Sequence, residues 1–155
     1  MVKKHIVRKI RLSSNDKHKK LLIGRNAWCL LPNLALPLIK AKIDTGAKTS
    51  ALHAFNINLI KRHKKTYVAF DIHPEQKNNR LVKHCAAPLV DKRRIMSSSG
   101  HIEHRYVIQT LLVMGDQSWP IEITLSNRDP LRYRLLLGRE ALRKRVVIDP
   151  NLSCR

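Results

Sequence analysis

Acidic residues are scarce in this chain. Of 155 residues, 11 are Asp or Glu against 31 Lys and Arg, which leaves a formal charge of +20. Such a surplus concentrates anionic partners around a protein at low ionic strength, and an acidic peptide, a nucleic acid and a membrane surface all answer to it. Aromatic residues are also few, at 5%, too few for the stacking platforms with which single-strand binders hold bases. A nucleic-acid partner is therefore not expected, although basic runs at Lys17 to Lys20, Lys61 to Lys65, Lys92 to Arg94 and Arg143 to Arg145 could track phosphates. Those runs read first as solvated surface. Cys29, Cys85 and Cys154 are odd in number, widely spaced and without a Cys-x-x-Cys pairing. That argues against a disulfide framework or a thiolate zinc site and for a reducing compartment.

Long apolar runs are missing too. Met1 to Lys20 lacks the apolar segment of a signal peptide, and Leu21 to Ile39 is interrupted by Arg25, Asn26, Pro32 and Pro37. The expectation is a cytoplasmic protein with no membrane contact. Its five glycines include no Gly-x-x-x-x-Gly-Lys-Ser/Thr loop for ATP. His101-Ile102-Glu103-His104, with His53, His73, His84 and Cys85 as further ligands, is the nearest approach to a zinc set, but no His-Glu-x-x-His helix pattern exists. No metal and no cofactor is expected.

What is present suits one domain: 43% hydrophobic residues over this length can build a core. Residues 1–20 are polar and basic, an arm or weakly held edge strand, and the packed domain is expected over 21–155. Short strands are expected at Leu21 to Ile23, Ala27 to Leu30, Leu38 to Asp44, Thr66 to Ile72, Arg105 to Met114 and Trp119 to Leu125. Val68, Phe70 and Ile72, and likewise Ile121, Ile123 and Leu125, alternate with neighbours of the opposite face. Turn chemistry falls between the runs, including Ser97 to Gly100 and Ser126 to Pro130. One helix is expected from Arg139 to Lys144, with Val146 to Ile148 returning to strand. The reading is mainly β, a small barrel or sandwich.

The chemistry concentrates at Ile43-Asp44-Thr45-Gly46-Ala47, where one carboxylate ends a strand. A short hydroxyl follows to anchor the turn, then a residue without a side chain that lets backbone or ligand approach. Aspartic peptidases hold their catalytic acid this way. Peptide hydrolysis by carboxylates needs two of them sharing a proton, and the chain has a single Asp-Thr-Gly segment and no internal repeat. A two-fold homodimer, each chain contributing Asp44, supplies the second.

Together with Leu135-Leu136-Leu137-Gly138-Arg139 about ninety residues later, this segment resembles the paired signatures of retropepsin-like aspartic peptidases. More closely, the chain resembles a bacterial retropepsin-like family once labelled ATP-dependent zinc proteases and associated with α-L-glutamate ligases. The resemblance extends over Ile23 to Arg25, Leu38 to Ala54, Ser97 to Gly100, His104 to Thr110, Trp119 to Asp129 and Leu135 to Pro150. It implies a small closed acid-protease barrel with one short C-terminal helix, and peptidase activity. Asp44 matches the catalytic aspartate, Thr45 the hydroxyl bracing the dyad, and Gly46, with Ala47 beside it, the loop that meets substrate. Leu136, Leu137 and Gly138 match the segment packed beneath that loop, and Ser99 and Gly100 fall in a flap-like turn. Lys48, Arg128 and Arg139 lie inside matched segments and form a candidate cationic cleft for acidic side chains. One departure stands out. Viral retropepsins pair an acid with an arginine where this chain has Lys48 and Arg139, and two cations do not pair. Arg139 then needs another acceptor: Glu140, Asp149 or a substrate carboxylate.

The expected function is a homodimeric aspartic endopeptidase acting on an acidic, glutamate-tailed peptide or protein, with a glutamate ligase as partner. A non-catalytic module that binds an acidic peptide or a partner enzyme in the same cleft is the first alternative, and a basic nucleic-acid binder the second.

Overall fold

Alternation of apolar and polar residues sets most of the strands. A computed structural model describes residues 8–10, 19–75, 77–128 and 132–153. Most of the expected arm, Asp129 and Pro130 of the expected turn, and Cys154 lie outside the described residues. The elements in chain order are β1 (Arg8–Ile10), β2 (Lys20–Ile23), β3 (Asn26–Cys29), a 3-10 turn (Pro32–Leu34), β4 (Ile39–Ile43), β5 (Ser50–His53), β6 (Phe55–Arg62) and β7 (Lys65–Ile72). There follow β8 (Lys83–Met96), β9 (Ile102–Met114), β10 (Gln117–Ser126), β11 (Leu135–Leu137), α1 (Arg139–Leu142) and β12 (Val146–Ile148).

A sheet of order β3-β4-β11-β5-β10-β9-β8-β7-β6 forms the body, and β1-β2-β12 forms a small second sheet. The mainly β expectation holds, with one short helix. The sheet is open, however, where the resemblance implied a closed barrel. After β3, Leu30 exchanges two backbone hydrogen bonds of 2.9 Å with Val113 of β9, a single bridge that is the one step toward closure among the described residues. Pro32 then opens the 3-10 turn and no ladder along β9 follows the bridge, since proline has no N–H to give one and holds its own φ. On the other side β6, β7 and β8 continue the sheet beyond the point where a barrel would close.

The core lies inside the curl. Leu52, Phe70, Ile108, Ile123, Leu135 and Leu137 are all fully buried, one or two from each central strand. Leu21 is buried as well, and its N–H donates to Arg145 O at 2.9 Å. Trp119 seals the helix against the sheet, its indole Nε1 donating to Ala141 O at 2.8 Å. Cys29 and Cys85 are free and buried. Burial pushes the Cys29 thiol up to about 12, which makes it inert. No helix among the described residues is long and apolar enough to cross a membrane.

Candidate active site

β11 lies between β4 and β5, parallel to the first (Leu136 opposite Lys42, Leu137 opposite Ile43) and antiparallel to the second (Leu135 opposite Leu52). Its two outer leucines are buried, so apolar burial fixes its register. That register sets Asp44 at the end of β4, its N–H donating to Leu137 O at 2.9 Å. The chain then turns on the aspartate's own side chain: Oδ1 accepts the Gly46 N–H at 3.0 Å, the local bond that makes Asp a turn former. Oδ2 has no partner among the described residues, and Asp44 is half-buried.

The following loop is tied to the segment after β11. Ala47 O accepts the Arg139 N–H at 2.8 Å and Lys48 O accepts the Glu140 N–H at 3.1 Å. Gly138 donates its N–H to Ser50 Oγ at 3.0 Å, and Thr124 Oγ1 donates to Ser50 O at 2.9 Å. The approach is so close that a Cβ on Gly138 would lie 2.8 Å from Thr49 C and 2.9 Å from both Ala47 O and Lys48 O. Only glycine fits there.

Arg139 finds the acceptor the sequence left open. Its Nη1 donates to Thr45 O at 2.9 Å and to Gly46 O at 3.0 Å. The brace is a guanidinium on two backbone carbonyls, with neither Glu140 nor Asp149 involved. Lys48 pairs with Glu140 at 3.8 Å across side chains that are 72% and 49% exposed, a weak contact in water. Thr45, Lys48, Arg139 and Glu140 border a cavity of about 560 Å³ whose far side is Leu142, Arg143, Lys144, Val146 and Ile148. Its lining includes four cations and one carboxylate beside three apolar side chains.

Of the residues singled out from sequence, the fold gathers Asp44, Thr45, Gly46, Ala47, Lys48, Leu136, Leu137, Gly138 and Arg139 into this one assembly. Ser99 and Gly100 sit elsewhere, at the tip of the β8–β9 hairpin, where Gly100 N–H donates to Ser97 O at 2.9 Å and Gly100 takes φ +80°. Arg128 follows β10, and its carbonyl lies 2.8 Å from His53 Nδ1. The sequence reading missed Ser50 as the acceptor for Gly138; a polar residue directly before an apolar run was its only trace. It also missed Arg134, buried with Nη2 donating to Asn79 Oδ1 at 2.7 Å. The histidines do not converge: His73 Nδ1 meets Leu81 O at 2.9 Å and His84 meets Asp71. No group of three potential ligands for a metal ion occurs among the described residues.

Comparison with known proteins bears on this geometry. The family model described as "Retropepsin-like aspartic endopeptidase RimB" matches residues 22–154. A protein of Desulfotalea psychrophila named "Probable alpha-L-glutamate ligase" is 48% identical over 141 residues, which is 91% of this chain and 30% of that protein. A protein of the same name from Parasynechococcus marenigrum is 48% identical over 135 residues, 87% of this chain and 29% of that protein. The chain thus spans less than a third of the length of the curated relatives it matches. Among solved structures, Lpg0085 of Legionella pneumophila, a protein of unknown function, superposes with a TM-score of 0.68 at 28% identity, covering 85% of this chain and 94% of that one.

Proposed function

The chain belongs to the RimB-like family of retropepsin-like aspartic endopeptidases, and on that premise we propose that it is a homodimeric peptidase whose active site is an Asp44/Asp44 dyad, acting on acidic, glutamate-tailed protein. The observation that carries this reading is the loop itself. A single carboxylate stands at the end of β4 on a turn held by Arg139 and by the close approach of Gly138. Chemistry by positioned carboxylates needs this kind of fixed placement.

In the dyad one Asp44 is ionised and takes a proton from a water, whose oxygen attacks the scissile carbonyl carbon. The protonated Asp44 of the second copy gives its proton to the carbonyl oxygen. Collapse of the tetrahedral species breaks the C–N bond, with a proton passing from the dyad to the leaving nitrogen. Thr45 and Gly46 present the loop, Lys48, Arg128 and Arg139 favour acidic side chains, and the Ser99-Gly100 turn serves as a flap.

The rim of cations beside Thr45 and the charge of +20 support an acidic substrate. Relatives named as glutamate ligases contain a segment similar to this whole domain, which supports a ligase as the partner that makes that substrate. Incubation with an oligoglutamate-tagged protein, beside the Asp44→Asn variant, tests the reading: cleavage by the wild type alone is expected, and equal cleavage by both removes Asp44 from the mechanism. Two such cationic protomers repel, so polyanion should strengthen the dimer in light scattering. A strict monomer that retains activity contradicts the shared dyad.

A further inference from the structure

The β8–β9 hairpin outruns its neighbours. β7 pairs with β8 up to Tyr67 opposite Pro88, and β10 pairs with β9 up to Thr124 opposite Val107. Beyond those rungs, residues 92–96 and 102–106 pair with each other alone among the described residues, Lys92 opposite Tyr106, Arg94 opposite His104 and Met96 opposite Ile102. Cross-strand partners share a face, and faces alternate along a strand. Ile102, His104 and Tyr106 therefore continue the face of Ile108, which is fully buried in the core.

The two faces differ in charge. On the far face Arg93 binds Asp91 at 3.2 Å and Glu122 at 2.7 Å, and Arg105 binds Glu103, so each cation there is met by a carboxylate. On the core-side face no carboxylate occurs between Lys92 and the tip. Lys92 and Arg94 are exposed, Lys92 Nζ lies 5.5 Å from the Tyr106 ring, and the tip presents Met96 at 67% exposure and Ile102 at 37%. The outer edge of β8 past Pro88 has no strand beside it among the described residues.

We propose that this core-side face and open edge form a recognition surface for an extended acidic peptide, with Lys92 and Arg94 each taking a carboxylate and Met96 and Ile102 gripping the chain at the tip. This rests on the acidic-substrate reading above and adds to it the residues that select. A strand added to an open edge gains main-chain hydrogen bonds, and its same-face side chains recur about every 7 Å, the interval between Lys92 and Arg94 themselves. A nucleic acid fits less well, because the Tyr106 ring is already covered by Lys92 and offers no stacking platform.

The test uses the full-length Asp44→Asn protein, a labelled oligoglutamate peptide and fluorescence anisotropy at fixed salt. Lys92→Ala with Arg94→Ala should weaken binding about tenfold, while Lys65→Ala with Lys77→Ala, which removes equal charge elsewhere, should change it by less than about twofold. Equal loss in both double variants would reduce the surface to net charge and overturn the proposal. Tighter binding of duplex RNA, lost in the same hairpin variant, would also overturn it. Circular dichroism establishes that each variant is folded. Because binding is read on an inactive protein, failure of the peptidase reading leaves a positive result standing; cleavage unaffected by the hairpin variant, with binding likewise unaffected, sinks the surface alone.

Discussion

The Asp44 loop and the free end of the β8–β9 hairpin are held by opposite means. Around Asp44 most ties end on backbone: Arg139 rests on two carbonyls and the Ala47 and Lys48 carbonyls accept successive N–H groups, while the Gly138 N–H donates to the Ser50 hydroxyl. In the hairpin, past its neighbours, the ladder is supplemented by side-chain ion pairs on one face and by the contact of Lys92 with the Tyr106 ring on the other. Backbone acceptors cannot be moved by changing a side chain, whereas surface pairs contribute little and can be exchanged freely. The difference teaches that placement of the carboxylate is built into the main chain and that charge on the hairpin is adjustable. Four changes would break or sharpen that contrast.

The largest effect is expected from Gly138→Ala. Its Cβ would meet three backbone atoms within 2.9 Å, so the loop must shift, and chemical denaturation should show a loss of roughly 2–3 kcal/mol. Next is Arg139→Ala, which removes both carbonyl ties. Because the residue is exposed, stability should fall by only about 1 kcal/mol, with kcat on an acidic substrate falling further than stability does; Arg139→Lys should not restore it, a point charge being unable to span both carbonyls.

A third change acts between β6 and β7, where Asn56 Nδ2 donates to Asp71 Oδ2 at 2.8 Å. This bond, and then His84, hold the Asp71 carboxyl below its ordinary range, against the opposing effect of burial. Since the folded value is the lower one, the contribution is complete above the unfolded carboxylate range near about pH 4 and is lost as pH falls through the folded value. Asn56→Ala should therefore move the midpoint of acid unfolding to higher pH, and an unchanged midpoint would refute the role of this bond. The smallest effect belongs to Lys48→Ala. Its contact with Glu140 is long and solvated, so the thermal midpoint should move by the equivalent of less than about 0.5 kcal/mol.

Strands with one buried face were legible before any coordinates. The expected segments at Leu21, Ala27, Leu38, Thr66, Arg105 and Trp119 correspond to β2, β3, β4, β7, β9 and β10, with ends displaced by a few residues. The helix after Gly138 was expected to reach Lys144 and stops at Leu142, because Arg143 turns extended and Lys144 takes φ 63°. What escaped were the short buried strands β5 and β11 and two strands with few buried residues. β6 alternates weakly because few of its residues are buried, and β8 hides behind Pro88 and the run Lys92 to Arg94, which read as loop and surface. Likewise Lys61 to Lys65 conceals a tight hairpin turn, with His63 and Lys64 at positive φ. Within the site, the aspartate, the glycines and the departure at Lys48 were visible as motifs, whereas the resolution of that departure was not.

Local chemistry accounts for the division. The amino-acid order alone determined that Asp44 ends a strand on a glycine turn, that a second apolar segment ending in Gly138 accompanies it, and that the chain carries a large excess of positive charge. Each follows from neighbours a few residues apart. Tertiary structure alone decided that Arg139 rests on Thr45 and Gly46 carbonyls, that the sheet stays open at Leu30 and Val113, and that Arg93 and Lys92 face opposite ways on one hairpin. Those facts depend on strand register and on contacts between residues up to 94 apart in sequence. Register is set where the whole buried face is packed, beyond the reach of any single segment.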